Sequence, residues 1–336
     1  MPKMRAAQIS KPGGPFEVVE REVPEPGPGQ VRIKVEACGV CHSDAFVKSG
    51  AFPGLSLPRV PGHEIAGAVD RVGAGVTAWK AGDRVGVGWH GGHCFQCRPC
   101  RKGLFINCEN ARVTGISYDG GYAEYVVVPS EAVARMPKGL TAVEAGPLLC
   151  AGVTTYNALR NSGARAGDTV AVQGIGGLGH LAIQFAAQMG FRTVAISRGA
   201  EKEELARALG AHEYVDTSRV SAGEGLQKLG RADLVLATAP NSEAIASTVD
   251  GLHVRGKLLI VAAPFEPLQI SAFALLSGRT VAGWPSGSSI DSEDTMAFSA
   301  LTGVRPRVEL FKLEQADQAL ASVMENRVRF RAVLTP

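Results

Sequence analysis

The sequence predicts an α/β protein in which a doubly wound parallel sheet accompanies a mostly β region. In the second half of the chain, short apolar strands alternate with helical patterns. Strands that are apolar throughout are typical of a parallel sheet covered by helices on both faces. Residues 1 to about 150 are instead rich in glycine, proline and β-branched residues, with compact strands expected at residues 31–35 and 125–129. The strands of the parallel sheet are expected at residues 169–173, 193–196, 214–215, 234–237, 258–262 and 280–282.

The composition is that of an ordinary globular chain, and 336 residues are enough for two domains. Thirty-five basic and 32 acidic side chains leave a net charge of +3, so nothing favours a nucleic acid or an anionic membrane as partner. No apolar run reaches the length of a membrane span, and the first residues do not resemble a secretion signal. Four of the seven cysteines are clustered, which indicates metal binding before disulfides and a cytoplasmic location.

A glycine-rich turn follows the first strand of the parallel sheet. Residues 174–179 read Gly-Ile-Gly-Gly-Leu-Gly, and the helical pattern after them stops at Gly190. Gly174 permits a tight turn, Gly176 lets the backbone approach a pyrophosphate, and Gly179 lets helix and strand pack closely. The free N–H groups at the start of that helix attract an anion. The turn therefore predicts a dinucleotide site formed by Gly174, Gly176, Gly177, Leu178 and Gly179.

The end of the second strand lacks the acidic residue that such sites use to bind the ribose 2′-hydroxyl of NAD. Ser197 and Arg198 stand there instead, with Lys202 one turn further on. A carboxylate would repel a 2′-phosphate, whereas a hydroxyl beside a guanidinium suits one. The alternative is that Arg198 is only a solvated loop cation. We expect NADP(H) to be the favoured cofactor, with NAD(H) possible.

One short segment, about residues 90–110, contains four cysteines in the spacing C-x2-C-x2-C-x7-C, namely Cys94, Cys97, Cys100 and Cys108. Four thiolates this close can surround a zinc ion with no open position, which is the structural kind of site. Ferredoxins also use C-x2-C-x2-C, but their fourth cysteine follows three residues later and precedes a proline. Here it follows seven residues later and precedes Glu109. We therefore expect a structural zinc lobe, in preference to an iron–sulfur cluster or a nucleic-acid-binding ribbon.

Three further metal-ligand candidates, Cys41, His63 and Cys150, are dispersed along the chain. Taken singly, each would more often be a buried thiol or a core histidine than a ligand. Residues 41–44, however, bring a thiol, an imidazole, a hydroxyl and a carboxyl group together, and residues 62–64 lie on a turn after proline and glycine. Two cysteines with one histidine are a known ligand set for a catalytic zinc with an open fourth position.

Together these motifs resemble the medium-chain zinc-containing alcohol dehydrogenase family, including its cinnamyl alcohol dehydrogenase-like members. The resemblance extends over nearly the whole chain, and its most specific parts beyond the lobe and the glycine turn are residues 41–44, 62–76 and 150–154. It implies a zinc-dependent alcohol dehydrogenase or aldehyde reductase that transfers a hydride between a primary alcohol and NAD(P), with one catalytic and one structural zinc per chain. We also expect a homo-oligomer, either a dimer or a tetramer.

The resemblance implies a domain order as well. A GroES-like catalytic domain would be formed by residues 1–151 and 287–336. A Rossmann domain, residues 152–286, would be inserted between these two parts. The fold expected for the whole chain is thus a Rossmann doubly wound parallel sheet inserted in a mostly β GroES-like domain.

By position, the resemblance also assigns roles around the catalytic zinc. Its ligands would be Cys41, His63 and Cys150. Glu64 would be the nearby carboxylate that can transiently replace a ligand. Asp44 would be the partner that orients the imidazole ring.

Cofactor and substrate contacts follow from the same resemblance. His42 and Arg331 would be cations on the cofactor pyrophosphate, and Thr154 would contact the nicotinamide. Phe52 and Trp89 fall where family members line the substrate pocket. Aromatic walls favour alcohols with an aromatic or alkyl tail over polyols.

The resemblance makes Ser43 the first proton acceptor. Family members with the fullest proton relay carry a histidine three residues later, where this chain has Phe46. The last proton acceptor is therefore not identified. Cys38 matches no ligand and is expected to be a small buried residue.

Two alternative functions stay open from the sequence. A zinc-free reductase of the same architecture, acting on quinones or enones, would lack Cys41, His63 and Cys150 together. A non-catalytic zinc-binding relative would bind metal and turn over no alcohol.

Overall fold

The computed structural model describes residues 2–336, which form two compact units. The first unit comprises the chain up to Val153 together with Gly287–Pro336, and the second is Thr154–Ser286. Among residues 2–336, every helix is too short or too polar to cross a lipid bilayer.

The strands, in chain order, are β1 (Lys3–Gln8), β2 (Glu17–Glu22), β3 (Gln30–Val40), β4 (Ile65–Val72), β5 (Arg84–Val87), β6 (Tyr125–Pro129), β7 (Val133–Arg135), β8 (Thr169–Gln173), β9 (Arg192–Ser197), β10 (Glu213–Asp216), β11 (Ala232–Ala237), β12 (Leu252–Ile260), β13 (Thr280–Gly283), β14 (Val308–Lys312) and β15 (Arg331–Thr335). The α-helices are α1 (His42–Ser49), α2 (Arg98–Arg101), α3 (Ala142–Pro147), α4 (Val153–Arg160), α5 (Gly179–Gln188), α6 (Glu203–Ala208), α7 (Ala222–Lys228), α8 (Ser242–Ala246), α9 (Ala272–Leu275), α10 (Ser289–Thr302) and α11 (Ala316–Met324).

The first unit is built on a mixed sheet in the order β14-β15-β3-β4-β5-β7, with β6 also paired to β3. Only the β14–β15 pairing is parallel, and β1 and β2 form a separate antiparallel pair. Alternating residues of β3 and β4 face a core that includes Val31, Ile33, Ile65 and Val69. The long strand β3 ends one residue before Cys41, so the sheet itself places the first candidate metal ligand.

The second unit contains a six-stranded parallel sheet in the order β10-β9-β8-β11-β12-β13. All five residues of β8 are buried, as its apolar sequence predicts for a central strand. The chain leaves β8 toward β9 on one side and returns to β11 on the other. This reversal of strand order next to β8 is where doubly wound sheets bind their ligands. The predicted α/β fold class is confirmed.

The strand expected at residues 31–35 runs on to Val40. One strand of the parallel sheet also differs from its sequence prediction. We expected it at residues 258–262, but β12 begins at Leu252 and ends at Ile260. Val254 is 72% exposed and Arg255 has a φ of +63°, so the apolar run is interrupted inside the strand. The pairing register with β11 also shifts there, between Ala232 and Leu234. Only the regular, buried part of the strand resembles a strand in sequence.

Candidate active site

The first candidate ligand, Cys41, lies at the start of a helix. It is the residue that caps α1, and its backbone N–H donates to the Asp44 carboxylate at 2.8 Å. This return bond from the third helical residue fixes the first turn. The Ser43 hydroxyl lies 3.8 Å from the Cys41 sulfur and is half-buried. His42, the first residue of α1, is exposed.

Four potential ligand atoms converge next to this turn. One atom each from Cys41, His63, Glu64 and Cys150 lies within 4.8 Å of the others. The two sulfurs are 3.9 Å apart, and zinc–sulfur bonds of ~2.3 Å in a tetrahedron would separate them by about 3.8 Å. Cys150 lies in a π-helical turn, Leu148–Gly152, a local widening that recurs at functional sites.

The polar atoms of this cluster fit a metal ion. Nε2 of His63 and Oε2 of Glu64 are buried, and neither has a hydrogen-bond partner among the described residues. Unpaired buried polar atoms are costly, so such atoms usually face a ligand. Two thiols, one imidazole and one carboxylate are the donors that zinc prefers. The cluster therefore suits a zinc ion held by Cys41, His63 and Cys150 with Glu64 alongside.

The His63 ring is oriented from its other side. Its Nδ1 lies 3.5 Å from Oδ1 of Asp44, and both side chains are almost completely buried. Burial by itself lowers the pKa of this imidazole, but the Asp44 carboxylate and the Cys41 thiol outweigh burial and raise the pKa well above its ordinary value. This geometry assigns Nδ1 to the carboxylate and leaves Nε2 facing the cluster.

Glu64 is held by a cation and by a close backbone approach. Its Oε1 is paired with Nη2 of Arg331, which also donates to the carbonyl of Val40 at 3.1 Å. Burial raises the pKa of the Glu64 carboxyl to about 7 although Arg331 opposes the shift. A Cβ at Gly39 would lie 1.8 Å from Oε2 of Glu64, so only glycine leaves room for this side chain.

An aromatic wall stands beside the cluster. The ring of Trp89 packs edge-on against His63, with centroids 5.1 Å apart. Phe52 packs on Trp89 at 5.9 Å, and Phe46 packs edge-on against Phe52 at 6.2 Å. The two expected pocket residues, Phe52 and Trp89, are thus brought next to the candidate metal ligands.

The four-cysteine lobe forms a closed cluster. The sulfurs of Cys94, Cys97, Cys100 and Cys108 all lie within 4.8 Å of one another, and these cysteines are free of disulfides. Backbone N–H groups point at the sulfurs: Cys94 donates to Cys108 at 3.3 Å, and Cys97 donates to Cys94 at 3.4 Å. Bonds from the backbone of Cys97 and Gln96 lower the pKa of Cys94 to about 6. Burial and the neighbouring thiols of Cys97 and Cys108 raise the pKa of Cys100 to about 12. The four sulfurs leave no position for a substrate, as a structural zinc site requires.

The glycine turn has the geometry that its sequence predicts. Gly174 has a φ of +94°, and a Cβ there would meet Ala239 at 2.6 Å. A Cβ at Gly179 would lie 1.9 Å from the carbonyl oxygen of Gly174, so α5 starts directly against the turn. A Cβ at Gly176 would meet nothing within 4 Å, which leaves the backbone open there. The turn thus fits a pyrophosphate at the start of α5.

The segment after β9 is organised around an acidic residue of the next strand. Asp216 accepts the backbone N–H of Gly199 at 2.8 Å and pairs with Arg219 at 3.6 Å. Arg198 is exposed and forms no ion pair within residues 2–336, and Ser197 and Lys202 are half-buried. The guanidinium of Arg198 is therefore available to an anionic ligand.

The remaining predicted site residues lie in fixed surroundings. Thr154 is buried, and its hydroxyl donates to the Ser286 hydroxyl at 3.1 Å within the second unit. Arg331 is buried against Glu64. The predicted roles of these two side chains toward a cofactor stay predictions.

Sequence reasoning missed two residues that support the metal cluster from outside it. Tyr122 is completely buried, and its hydroxyl donates to Oδ2 of Asp44 at 2.9 Å. Gly39 makes room for Glu64, as described above. The only hint in the sequence was a pair of glycines directly before Tyr122, a sign of close backbone approach.

The fold and these two thiol-rich clusters define the class of zinc-binding oxidoreductases with a doubly wound nucleotide domain. The family description "Alcohol dehydrogenase GroES-like domain" matches residues 27–138, and "Zinc-binding dehydrogenase" matches residues 177–301. The chain belongs to the medium-chain zinc-containing alcohol dehydrogenase family and is a zinc-dependent alcohol dehydrogenase.

Similar proteins cover the chain almost completely. Alcohol dehydrogenase patD of Penicillium expansum is 46% identical over 331 residues, 98% of this chain and 97% of its own. A cinnamyl alcohol dehydrogenase of Sorghum bicolor has a TM-score of 0.90 at 30% identity, covering 99% and 98% of the two chains. CAD from Helicobacter pylori, solved as a complex with NADP(H), has a TM-score of 0.88 at 27% identity, covering 99% and 98%.

Proposed function

We propose that this alcohol dehydrogenase interconverts primary alcohols that carry an aromatic or alkyl tail and the corresponding aldehydes, with NADP(H) favoured over NAD(H). One observation carries the proposal. The unpartnered Nε2 of His63 faces two thiols and a carboxylate, directly beside the aromatic rings of Trp89 and Phe52. A cluster of potential metal ligands thus lies directly beside an apolar wall.

Cys41, His63 and Cys150 are the proposed ligands of a catalytic zinc. When bound, the zinc supplies Lewis acidity toward the substrate oxygen, and the nicotinamide cofactor carries the hydride. Glu64 is held by Arg331, and its carboxylate lies beside the three ligands. It need not be a permanent ligand itself. Asp44 holds Nδ1 of His63 and so keeps the ring turned toward the metal.

The aromatic wall supports an apolar substrate tail. Phe52 and Trp89 present broad apolar surfaces, whereas a polyol would need several hydrogen-bond partners. Phe46 extends the same wall and is 38% exposed. The chain therefore selects aromatic or alkyl tails over sugars.

Ser43 is the proposed first acceptor of the substrate proton. Its Oγ lies 3.8 Å from the Cys41 sulfur and is half-buried, so it can take a proton near the metal and release its own outward. Phe46 offers no titratable group where a relay histidine would stand. The proton consequently leaves Ser43 for water or another base.

NADP(H) preference rests on charge. β9 ends in Ser197 where a carboxylate was expected, Arg198 forms no ion pair among residues 2–336, and Lys202 lies one turn away. The CAD from Helicobacter pylori, which shares the fold, was solved with NADP(H). We assign the pyrophosphate to the glycine turn at the start of α5, with His42 and Arg331 as further cations and Thr154 toward the nicotinamide. The nucleotide-binding domain then corresponds to residues 152–286.

The four-cysteine lobe is the proposed second zinc site, with a structural role. We further propose a homo-oligomer in the cytoplasm. Val254, Phe273 and Leu276 of the second unit are each more than 70% exposed, and the bond from Arg255 N–H to Ser277 places their segments side by side. Apolar side chains gathered at a surface favour contact with another copy.

Metal analysis of three variants tests the two zinc sites. The wild type and Cys38→Ala should each hold two zinc ions, because Cys38 is buried near the cluster but is not a ligand. Cys41→Ser should hold one zinc, keep its fold and lose turnover, whereas Cys97→Ser should chiefly destabilise the protein. One zinc in the wild type, or an iron–sulfur chromophore, would contradict the proposal.

Kinetics with a panel of substrates test the activity. Benzyl and medium-chain alkyl alcohols should have higher kcat/KM than sorbitol, and NADP should give higher kcat/KM than NAD. No metal-dependent turnover of any alcohol or aldehyde would instead favour a non-catalytic zinc-binding protein. Turnover of quinones or enones by the Cys41→Ser variant would favour the zinc-free reductase.

A further inference from the structure

The hydroxyl of Tyr122 shares a carboxylate oxygen with the backbone of a metal ligand. Oδ2 of Asp44 accepts the Tyr122 hydroxyl at 2.9 Å and the Cys41 N–H at 2.8 Å. The other oxygen, Oδ1, is the one that faces Nδ1 of His63 at 3.5 Å. Both donors act on one oxygen, so together they decide which way the second oxygen points.

The Tyr122 ring is completely buried and closely packed. Its backbone N–H donates to the carbonyl of Pro61 at 3.0 Å. A Cβ at Gly62 would lie 2.4 Å from Cδ1 of the ring, so the ring packs directly on the backbone that precedes His63. Tyr122 therefore contacts the segment that supplies His63 and, through Asp44, the helix that supplies Cys41.

We propose that Tyr122 is a positioning residue for the catalytic metal, because its hydroxyl fixes the rotation of the Asp44 carboxylate that orients His63. A carboxylate held by a single donor can turn about its Cβ–Cγ bond, and two donors from different directions stop that motion. Groups that hold a metal ligand from behind typically change metal affinity or activity by about 10–100-fold when they are removed. This inference rests on the catalytic zinc site proposed above.

Tyr122→Phe removes the donor and keeps the ring. The experiment follows zinc release from the purified holoenzyme into a chromogenic chelator. The two zinc sites are expected to release their ions in two separate kinetic phases. The phase that is missing in Cys41→Ser belongs to the catalytic zinc. In Tyr122→Phe that phase should accelerate by roughly tenfold, while the phase of the four-cysteine lobe stays unchanged. In protein loaded with cobalt, the ligand-field absorption of the catalytic site should also shift.

Tyr118→Phe is the matched control, because Tyr118 is another tyrosine whose hydroxyl donates to a protein oxygen, the carbonyl of Gly91 at 2.9 Å. Both variants lose such a hydrogen bond, and Tyr118→Phe also loses the one with the Thr114 hydroxyl at 3.2 Å. Only Tyr122→Phe should nevertheless alter the release of the catalytic zinc. In an Asp44→Asn background, Tyr122→Phe should add less than a twofold change, since its effect passes through Asp44.

The possible outcomes separate the inference from the proposal beneath it. Wild-type protein without a release phase that depends on Cys41 contradicts the catalytic zinc site itself. A normal phase in the wild type that is unchanged in Tyr122→Phe, with an unchanged cobalt spectrum, contradicts the role of Tyr122 alone. If Tyr118→Phe accelerates zinc release as much as Tyr122→Phe does, the effect is a general destabilisation of the protein. That result also contradicts the role of Tyr122.

Discussion

Replacing Gly39 with alanine would put a methyl group where the Glu64 carboxylate lies. The new Cβ would be 1.8 Å from Oε2, which must retreat by about 1.6 Å to reach an ordinary contact. The strand cannot yield instead, because the Gly39 N–H donates to the Glu64 carbonyl at 3.0 Å. Overpacking costs about 1–3 kcal/mol, and loss of a buried ion pair costs about 3–5 kcal/mol. Since Glu64 keeps part of its pairing with Arg331, we expect a loss of about 2–5 kcal/mol in unfolding free energy.

Tryptophan fluorescence during urea unfolding measures this loss. Trp79 and Trp89 lie in the first unit and Trp284 in the second, so a Trp284→Phe background restricts the signal to the first unit. Gly139→Ala is the matched control, because its new Cβ would lie 3.3 Å from its nearest neighbour, the Ala300 Cβ, a far smaller overlap than the 1.8 Å at Gly39. That variant should stay within about 0.5 kcal/mol of its parent.

A second substitution gives a sharper test of the cause. Aspartate is shorter than glutamate by one methylene, so Glu64→Asp should recover part of the stability that Gly39→Ala loses. If Gly39→Ala alone stays within about 0.5 kcal/mol of its parent, Glu64 is not confined by Gly39 and the reasoning is wrong. If the aspartate gives no recovery, the loss has another source.

Arg198→Ala should weaken NADP binding by roughly tenfold or more and leave NAD binding nearly unchanged, because a lost charge-assisted bond costs about 1.5–3 kcal/mol; a wild type that prefers NAD in kcat/KM would refute the assignment. Phe52→Ala should shift kcat/KM toward alcohols with bulkier tails, and a wild-type preference for sorbitol over benzyl alcohol would show that the aromatic wall does not select the substrate. External imidazole should accelerate alcohol oxidation by the wild type but not by Phe46→His, because the new ring supplies the missing base near its pKa of about 6.5. If imidazole accelerates neither enzyme and no solvent deuterium effect is seen in either, proton departure does not limit the rate.

The nucleotide domain could be predicted from sequence because its determinants are local. The apolar strand β8, the glycine turn and the start of α5 are contiguous, and each residue's task depends on its immediate neighbours. The same holds for the four-cysteine lobe, whose spacing alone places the sulfurs together. Irregular backbone could not be predicted in this way. Arg255 interrupts β12 with a positive φ, and no pattern in the neighbouring sequence indicates that conformation.

The metal cluster of the first unit is different because its parts are far apart in sequence. Spacing could not show that Cys41 and Cys150 meet, so their pairing came from family resemblance. The tasks of Gly39 and Tyr122 depend on contacts with side chains of other segments, Glu64 and Asp44. A glycine in a strand, or a tyrosine after two glycines, can have many structural roles. Only the contacts in the folded chain show which role it has.

The two clusters also close chain loops of very different length. Cys94 and Cys108 are 14 positions apart, whereas Cys41 and Cys150 are 109 apart and enclose the lobe between them. Closing the longer loop costs about 1.8 kcal/mol more in chain entropy, and it also requires β3 and the turn at Cys150 to be packed. On the proposal of two zinc sites, the lobe can therefore capture its ion while most of the chain is still disordered, and the outer cluster gains its ion only after the unit has folded. When zinc is scarce during synthesis, we accordingly expect folded, inactive molecules that carry a single ion in the lobe.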